Sequence, residues 1–307
     1  MPTTATAQDG HTSAEPSGLS GKSLPPHLQK AMSRVTEISS LPEITVKIIE
    51  VVEDPRATAA DMHAIVKNDP ALATKILKVV NSAFYWLPSK IASLDRAIIM
   101  LGLSAVKNIA LAASLARLFR SESVSEHFAA GDLWRHCIGV AVCARGLAKA
   151  AKKAQADEYF VAGLVHDMGL LVSGQLFSER FRAVADRCQS QPGDFCAAEQ
   201  ELIGADHQCF GIALATRWKF PPALCQAIGY HHEPYVLQSD FRQIATAIYV
   251  ADTTCGKMQH GFYLTTQAQE ITTDMLELLG LDAARLTEVQ EELPERIKEA
   301  ELILGQA

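Results

Sequence analysis

Helical periodicity along almost the whole chain is the feature that most limits what this sequence can fold into. From about residue 28 onward, apolar residues recur three and four positions apart, the spacing that gathers them on one face of an α-helix. The β-like fragments ILKVV and AIIML lie inside segments with this helical spacing, and no repeat of fixed length stands out. The sequence therefore predicts an all-α fold built from many helices.

Cap residues mark several ends of the predicted helices. Asp69 is expected to cap the segment PALATKILKVV, and Pro70 suits its first turn. Ser93 is expected to cap LDRAIIML, which Gly102 would end. The next segment, LSAVKNIALAASLARLF, is too apolar for a surface helix, so we expect it to be central.

Composition divides the chain into a tail and two helical halves. Residues 1–27 are rich in Thr, Ser, Gly and Pro and are predicted to be a disordered tail; they lack the pattern of a signal peptide. The polar stretch SESVSEHFAAGD (121–132) is the best internal boundary. It separates a first half, 28–125, from a second half, 126–270.

The C-terminal segment 271–304 is predicted to form two acidic amphipathic helices. Pro294 is expected to interrupt or begin the second of them. We interpret their charges as a solvated face.

Bulk properties exclude several classes of protein. Of the 307 residues, 48% are hydrophobic, which is enough for a substantial core. The net charge of −7 argues against a general nucleic-acid binder, and no apolar run reaches the roughly 18 residues of a membrane span. Seven scattered cysteines without a CxxC pair favour reduced thiols, and hence a cytoplasmic protein.

Histidine and aspartate recur on apolar helix stripes in five short segments of the second half. A single buried histidine is most often structural, with a hydrogen bond to a backbone carbonyl. A whole set of imidazoles and carboxylates is instead typical of a site for divalent metal ions. The predicted ligands are His136, His166, Asp167, His207, His231, His232 and Asp252.

Asp167 is the ligand best suited to bridge two ions, because its neighbour His166 points to the same cavity. Asp132, one helical turn before His136, is a further candidate ligand, although an N-cap role is favoured. These ligand types fit one or two ions of Fe, Mn, Mg or Zn and do not choose among them.

The ordered series of these histidines and aspartates resembles the HD superfamily of metal-dependent phosphohydrolases, and more specifically the HD-related output domain, HDOD. The resemblance covers roughly residues 30–304. It is carried by the pair Trp134 and His136 and by the segments ISSLPEI, NDPALATKILKVVNSAFY, SLDRAIIMLGLSAVKNIAL, GLVHDMGLL, GADHQCFGIALATRWKFP and IGYHHEP.

This resemblance implies a multi-helix HDOD bundle with an N-terminal helical subdomain and a C-terminal HD-like half. HDOD proteins are associated with bacterial signal transduction as regulatory modules, and many have lost metal ligands. Here each HD-type position is filled. The chain differs from phosphodiesterases of the HD-GYP type, because Leu170 stands where HD-x-G-K has lysine and HHEPYVLQSD lacks the GYP triplet.

The first functional hypothesis is therefore a bacterial signalling module that acts through a protein partner. Its HD-like site would bind a divalent metal, a nucleotide or another phosphorylated small ligand. The apolar first half is a candidate docking surface, and no membrane association is expected.

The alternative is a metal-dependent phosphohydrolase with a dinuclear site, in which Asp167 is the central residue and the ions activate water. Its candidate phosphate contacts are Arg135, Arg145, Arg217 and Lys219. A di-iron oxygenase, which uses the same ligand types, is a third and weaker alternative.

Overall fold

The computed structural model describes residues 22–33, 41–82, 89–116 and 128–304, and in these ranges the chain is helical without a β-strand. The predicted all-α class is confirmed. Three predicted features fall outside the described ranges: the first 21 residues of the tail, the end of the long apolar segment, and most of the polar boundary at 121–132.

Six helices make up the first half of the described chain. They are α1 (Pro26–Ser33), α2 (Glu43–Glu53), α3 (Ala59–Val66), α4 (Pro70–Val80), α5 (Leu94–Leu101) and α6 (Leu103–Leu115).

The second half contains ten further α-helices and two short 3-10 turns in the described residues, the turns being Pro234–Val236 and Leu264–Thr266. The helices are α7 (Ala130–Ala150), α8 (Ala156–Val165), α9 (Met168–Leu176), α10 (Ser178–Ser190), α11 (Phe195–Leu202), α12 (His207–Arg217), α13 (Pro222–Tyr230), α14 (Ser239–Lys257), α15 (Thr273–Leu279) and α16 (Ala283–Leu304).

The caps predicted from the sequence are present. The Asp69 carboxylate accepts a hydrogen bond from the amide of Leu72 at 2.9 Å, and the Ser93 hydroxyl accepts one from the amide of Arg96 at 3.3 Å. Gly102 ends α5 with a φ of +87°, a conformation that glycine adopts without strain. Local chemistry therefore fixes where α4 and α5 begin and where α5 ends.

Helix α6 forms the centre of the first half and joins it to the second. Every residue from Ala105 to Leu115 is buried. The helix packs against α2, α4 and α5 of its own half and against α8 of the other. The predicted central position is confirmed for the described part of this segment.

The packed chain begins earlier than the sequence indicated. The side chain of Leu24 is only 3% exposed, and the Lys22 amide donates a hydrogen bond to the Tyr230 hydroxyl at 3.1 Å. The Lys22 ammonium also contacts the carboxylates of Asp206 and Glu233. Residues 22–24 are therefore part of the packed chain rather than of a disordered tail, because Lys22 and Leu24 find partners despite the polar composition around them.

The last helix shows that the expectation for Pro294 was wrong. Helix α16 runs from Ala283 to Leu304 without a break, with Pro294 inside it. A proline within a helix costs roughly 3 kcal/mol. The apolar stripe on both sides of Pro294, which includes Leu293 and Ile297, is buried where α16 packs on α7, and this burial offsets the cost.

None of the described helices is both long enough and apolar enough to cross a bilayer. The seven cysteines are all free thiols, and five of them are buried.

Candidate metal centre

His136 is presented by α7, the long helix on which α8, α14 and α16 pack. Its ring is fully buried. Its Nδ1 lies 3.3 Å from the carbonyl oxygen of His260, and its Nε2 lies 2.9 Å from Oδ1 of Asp252 on α14. The two side chains therefore meet where one face of α7 lies against one face of α14.

His166 and Asp167 lie at a break between two helices, not on one continuous helix as the sequence suggested. Helix α8 ends at Val165 and α9 begins at Met168, so the pair occupies the turn between them. The Nδ1 of His166 donates to the carbonyl of Gly163 at 2.7 Å, an orphan carbonyl of the last turn of α8. The break directs both side chains to the same interior point.

His207 is the first residue of α12, and a glycine brings it close to the break. A Cβ at Gly169 would overlap the carbonyl oxygen of His207, so only glycine lets α9 and α12 pack this closely. The Nδ1 of His207 lies 2.6 Å from Oε2 of Glu199, and the backbone amide of His207 donates to the same oxygen at 2.8 Å.

His231 and His232 follow the last residue of α13 directly. The Nδ1 of His231 donates to the carbonyl of Ile228 at 2.9 Å. His232 is the ligand candidate that solvent partly reaches, and its Nδ1 contacts the side-chain amide of Gln269. The pair therefore lies at the C-terminal end of α13.

The Asp167 carboxylate is the point on which the imidazoles converge. Its Oδ1 lies 3.3 Å from Nε2 of both His207 and His231. Its Oδ2 lies 3.3 Å from Nε2 of His166 and 3.9 Å from Nε2 of His136. Four rings from separate elements thus point the same atom at one carboxylate.

Two overlapping groups of ligand atoms share this aspartate. One comprises Asp167 with His207, His231 and His232, and the other comprises Asp167 with His136 and His166. Within each group the ligand atoms all lie within 4.8 Å of one another. A third group joins His166 and His231 to Asp252. Asp167 is the residue common to the first two groups.

The hydrogen bonds of these side chains leave lone pairs that fit a cation. In three of the rings Nδ1 faces a carbonyl oxygen, which can only accept, so the proton of the neutral ring is on Nδ1 and a lone pair is on Nε2. The lone pairs of His166 and His231 face the lone pairs of Asp167, and that of His136 faces Asp252. Both oxygens of Asp167, one of Asp252 and Nε2 of His166 are buried without a hydrogen-bond partner in the described chain. A divalent ion, or a set of extra protons, resolves this clash of acceptors.

The pKa values of these groups show that the cluster retains protons when no cation is present. Burial lowers the pKa of His166, but the adjacent Asp167 outweighs burial and holds that pKa well above its usual value. Burial likewise opposes the charged form of His207, yet Glu199 and Asp167 raise its pKa to about 9. Burial favours protonation of Asp167 and Asp252, but the surrounding imidazoles hold both carboxyl pKa values below the usual range.

The other two histidines behave differently. Burial lowers the pKa of His231, and it lowers that of His232 further, with repulsion from neighbouring imidazoles adding to the effect. The cluster thus combines rings that hold extra protons with rings that stay neutral.

The helices that hold this cluster match a known protein family. The family model of the HDOD domain matches residues 38–234. The chain belongs to the HDOD family. Asp252 lies beyond the matched segment, but α14 carries it to 2.9 Å from His136.

Solved structures show the same HDOD fold. An HDOD domain protein of unknown function from Geobacter sulfurreducens is 23% identical, with a TM-score of 0.73 over 90% of this chain and 96% of that one. A candidate phosphohydrolase from Shewanella amazonensis SB2B is 21% identical, with a TM-score of 0.70 over 91% of this chain and 98% of that one.

An uncharacterized protein of Treponema pallidum (strain Nichols) is 24% identical over 222 residues, 72% of this chain. The match spans 42% of that relative, so the HDOD chain corresponds to less than half of its length.

Glu199 is the residue of this HDOD site that sequence reasoning missed. It lies on α11, is fully buried, and holds Nδ1 of His207. Burial raises its pKa, against the effect of His207. The one signal in the sequence is an acidic residue inside the short apolar segment FCAAEQEL.

Asp132 is neither an N-cap nor a ligand. The side chain is 55% exposed and lies 3.6 Å from the Arg135 guanidinium, and α7 already begins at Ala130. Its carboxylate therefore lies on the solvent side of α7, while His136 faces inward. Its backbone carbonyl accepts a hydrogen bond from the amide of Phe262.

The four basic candidates for phosphate contact lie in other settings. Arg135 pairs with Glu301 at 3.2 Å and Arg145 with Asp157 at 2.7 Å, while Arg217 and Lys219 are exposed. Leu170, at the position of the HD-x-G-K lysine, is fully buried.

Proposed function

We propose that this HDOD protein is a signal-transduction module that binds one or two divalent metal ions in its HD-like centre and acts through a protein partner. The observation that carries the proposal is that six of the seven candidate ligands are closed off from solvent. His136, His166, Asp167, His207, His231 and Asp252 are each 0% exposed.

Burial of this degree favours binding over turnover. A catalytic metal keeps an open position for water and substrate, whereas a structural or regulatory metal is closed off by protein ligands. A phosphoryl substrate also needs cationic partners, but Leu170 and the outward or paired basic residues do not supply them near Asp167. A metal in this centre would link α7, α8, α12, α13 and α14 through its ligands.

Output to a partner protein agrees with the exposed apolar side chains of the first half. Ile99 is 72% exposed and Met100 is 38% exposed, side by side near the end of α5. A related fold occurs in a candidate signal-transduction protein of Marinobacter aquaeolei VT8, 24% identical, with a TM-score of 0.71 over 91% of this chain and 64% of that one. Ile99 and Met100 are therefore candidate contacts for such a partner.

The alternative, a metal-dependent phosphohydrolase, is favoured by one specific observation. Two groups of ligand atoms share Asp167, and a shared carboxylate is typical of dinuclear centres. When bound, two such ions would supply a hydroxide near neutral pH and neutralise charge on a phosphoryl group. His232, the partly exposed member, would lie where substrate enters.

Metal analysis combined with an activity panel tests the proposal. We expect the purified wild-type protein to retain one or two equivalents of a transition metal through gel filtration and the variant Asp167→Asn to retain none. We expect neither protein to hydrolyse bis(p-nitrophenyl) phosphate or cyclic dinucleotides in Mn²⁺ or Fe²⁺. Wild-type protein without metal would refute the binding proposal, and turnover that is lost in Asp167→Asn would establish the phosphohydrolase instead.

A further inference from the structure

A cavity of about 500 Å³ lies between the two halves of the molecule, away from the histidines. The C-terminal end of α2 and the first turns of α6 form one side of it. Residues of α8, α13 and α14 form the other. Its size is typical of pockets that hold small organic ligands.

Most of the wall is apolar and suits an organic body. The side chains that form this surface include Val52, Leu103, Val161, Leu224, Phe241 and Ile244. Binding is favourable when an apolar or aromatic group displaces water from a cavity with such walls.

One buried polar side chain lines this wall without a partner. Asn108 on α6 is 7% exposed, and its amide makes no hydrogen bond in the described part of the chain. Gln208, another buried amide, accepts from the backbone of His232 and donates to Asp206. Buried amides are usually paired in this way. The Asn108 side chain is therefore free to form hydrogen bonds with a ligand in the cavity.

Charge adds a second reason to expect a ligand. Glu53, which is exposed to solvent, and the half-buried Glu158 both line the cavity, and neither forms an ion pair among the described residues. Burial raises the pKa of both carboxyls, and repulsion by Glu53 adds to the effect on Glu158. The one basic residue of the described lining, Lys107, donates to the carbonyl of Asp54 at 3.3 Å. The lining therefore has two carboxylates for one ammonium.

We propose that this cavity binds a small organic cation, an apolar or aromatic body with a protonated amine, whose ammonium is held by Glu53, Glu158 and the amide oxygen of Asn108. The site is separate from the metal centre. Because both halves contribute walls, the ligand stabilises the packing of α6 against the second half, and the cavity is an input site for the signal. Anionic ligands such as nucleotides are disfavoured by the two carboxylates.

Three probes that differ in charge but share one ring test this assignment. They are tryptamine, the neutral alcohol tryptophol and the anion indole-3-propionate, added to the full chain and followed by ligand-observed NMR and calorimetry. We expect tryptamine to bind with a Kd on the order of 1 mM, as its size implies. Tryptophol should bind about tenfold more weakly, and indole-3-propionate more weakly still.

Variants locate the binding. Glu158→Gln and Glu53→Gln should each weaken tryptamine about fivefold to tenfold, and Asn108→Ala should weaken it by a similar factor. Glu291→Gln changes the net charge equally at an exposed position of α16 and should bind as the wild type does. Circular dichroism verifies that each variant is folded. If Asn108→Ala does not fold, the two glutamate variants still decide the test.

Three results would overturn the proposal. They are no tryptamine binding at about 10 mM, tenfold above the expected Kd; equal binding of tryptophol; or Glu53→Gln and Glu158→Gln variants that bind as Glu291→Gln does. Because Asp167→Asn should leave tryptamine binding intact, failure here and failure of the metal proposal are distinguishable.

Discussion

The interior around the second half of α6, from Ile109 to Leu115, and the interior around Asp167 are both closed to solvent, but they are built from opposite kinds of side chain. Along this part of α6, apolar residues other than Ser114 fill the space, and the free energy of unfolding comes from buried area and fit. Around Asp167, imidazoles and carboxylates fill it, and each is tolerable only because another charge or a hydrogen bond compensates it. The first interior is therefore held by packing, while the second is held by compensating charges and hydrogen bonds and offers ligand atoms to a metal ion.

The strongest test of this difference is a cavity in the apolar interior. Leu111→Ala on α6 removes a fully buried side chain and should lower the free energy of unfolding by about 2–5 kcal/mol. The loss should be the same with and without Mn²⁺ and should vary little between pH 6 and 9, because no titratable group is touched. Denaturant unfolding measures it.

The matched control is Ile99→Ala on α5, which is 72% exposed and should change the free energy by less than about 0.5 kcal/mol. A Leu111→Ala loss that shrinks when metal is added would mean that the two interiors are not independent.

The second test removes the shared carboxylate of the polar interior. At a Mn²⁺ concentration 100 times its Kd, wild-type protein should gain about 2.7 kcal/mol of stability. Asp167→Asn should gain nothing, because the carboxylate common to both ligand groups is gone. Asp132→Asn, on the exposed side of α7, serves as the control and should keep the full gain. Equal stabilisation of the two variants would place the metal elsewhere.

The third test is the pH dependence of metal binding. The pKa of His207 is raised from 6.5 to about 9, so in the metal-free protein its proton stabilises the fold below pH 6.5 and is lost as pH rises through 9. A metal must displace that proton. Its apparent affinity should therefore rise by up to about tenfold per pH unit for each proton displaced across this window. Calorimetry in buffers of different ionisation enthalpy counts the protons released, and a count of zero contradicts the scheme.

The apolar interior was predictable because its causes are local. Helical spacing and the caps at Asp69 and Ser93 are written in short segments, and the structure reproduces them. The histidines and aspartates of the cluster could also be found from the sequence, because titratable side chains stand out in apolar stripes. Their convergence on Asp167 required only that those stripes face one core.

What the sequence did not reveal depends on contacts between segments. Glu199 supports His207 only because α11 packs beside the start of α12, and nothing local marks that pairing. No glycine or proline lies within the turn at His166 and Asp167, so no residue of the turn predicts the break between the two helices. Pro294 stays inside a helix because burial on α7 outweighs a local preference to stop. Long-range packing decides each of these cases.

The smallest effect should come from the carboxylate behind His207. Glu199→Gln leaves an oxygen to accept from Nδ1 and from the backbone amide, so the ring keeps its orientation, but the negative charge is removed. Loss of such a supporting carboxylate typically costs 10–100-fold in metal affinity, and we expect about tenfold here because the hydrogen bonds persist.

The pKa of His207 should fall as well, since Glu199 is the strongest of the groups that raise it. The pH dependence of Mn²⁺ affinity should then become shallower than in the wild type, a change that a purely structural role for Glu199 would not produce. Glu201→Gln, an exposed position two residues along α11, should alter neither quantity.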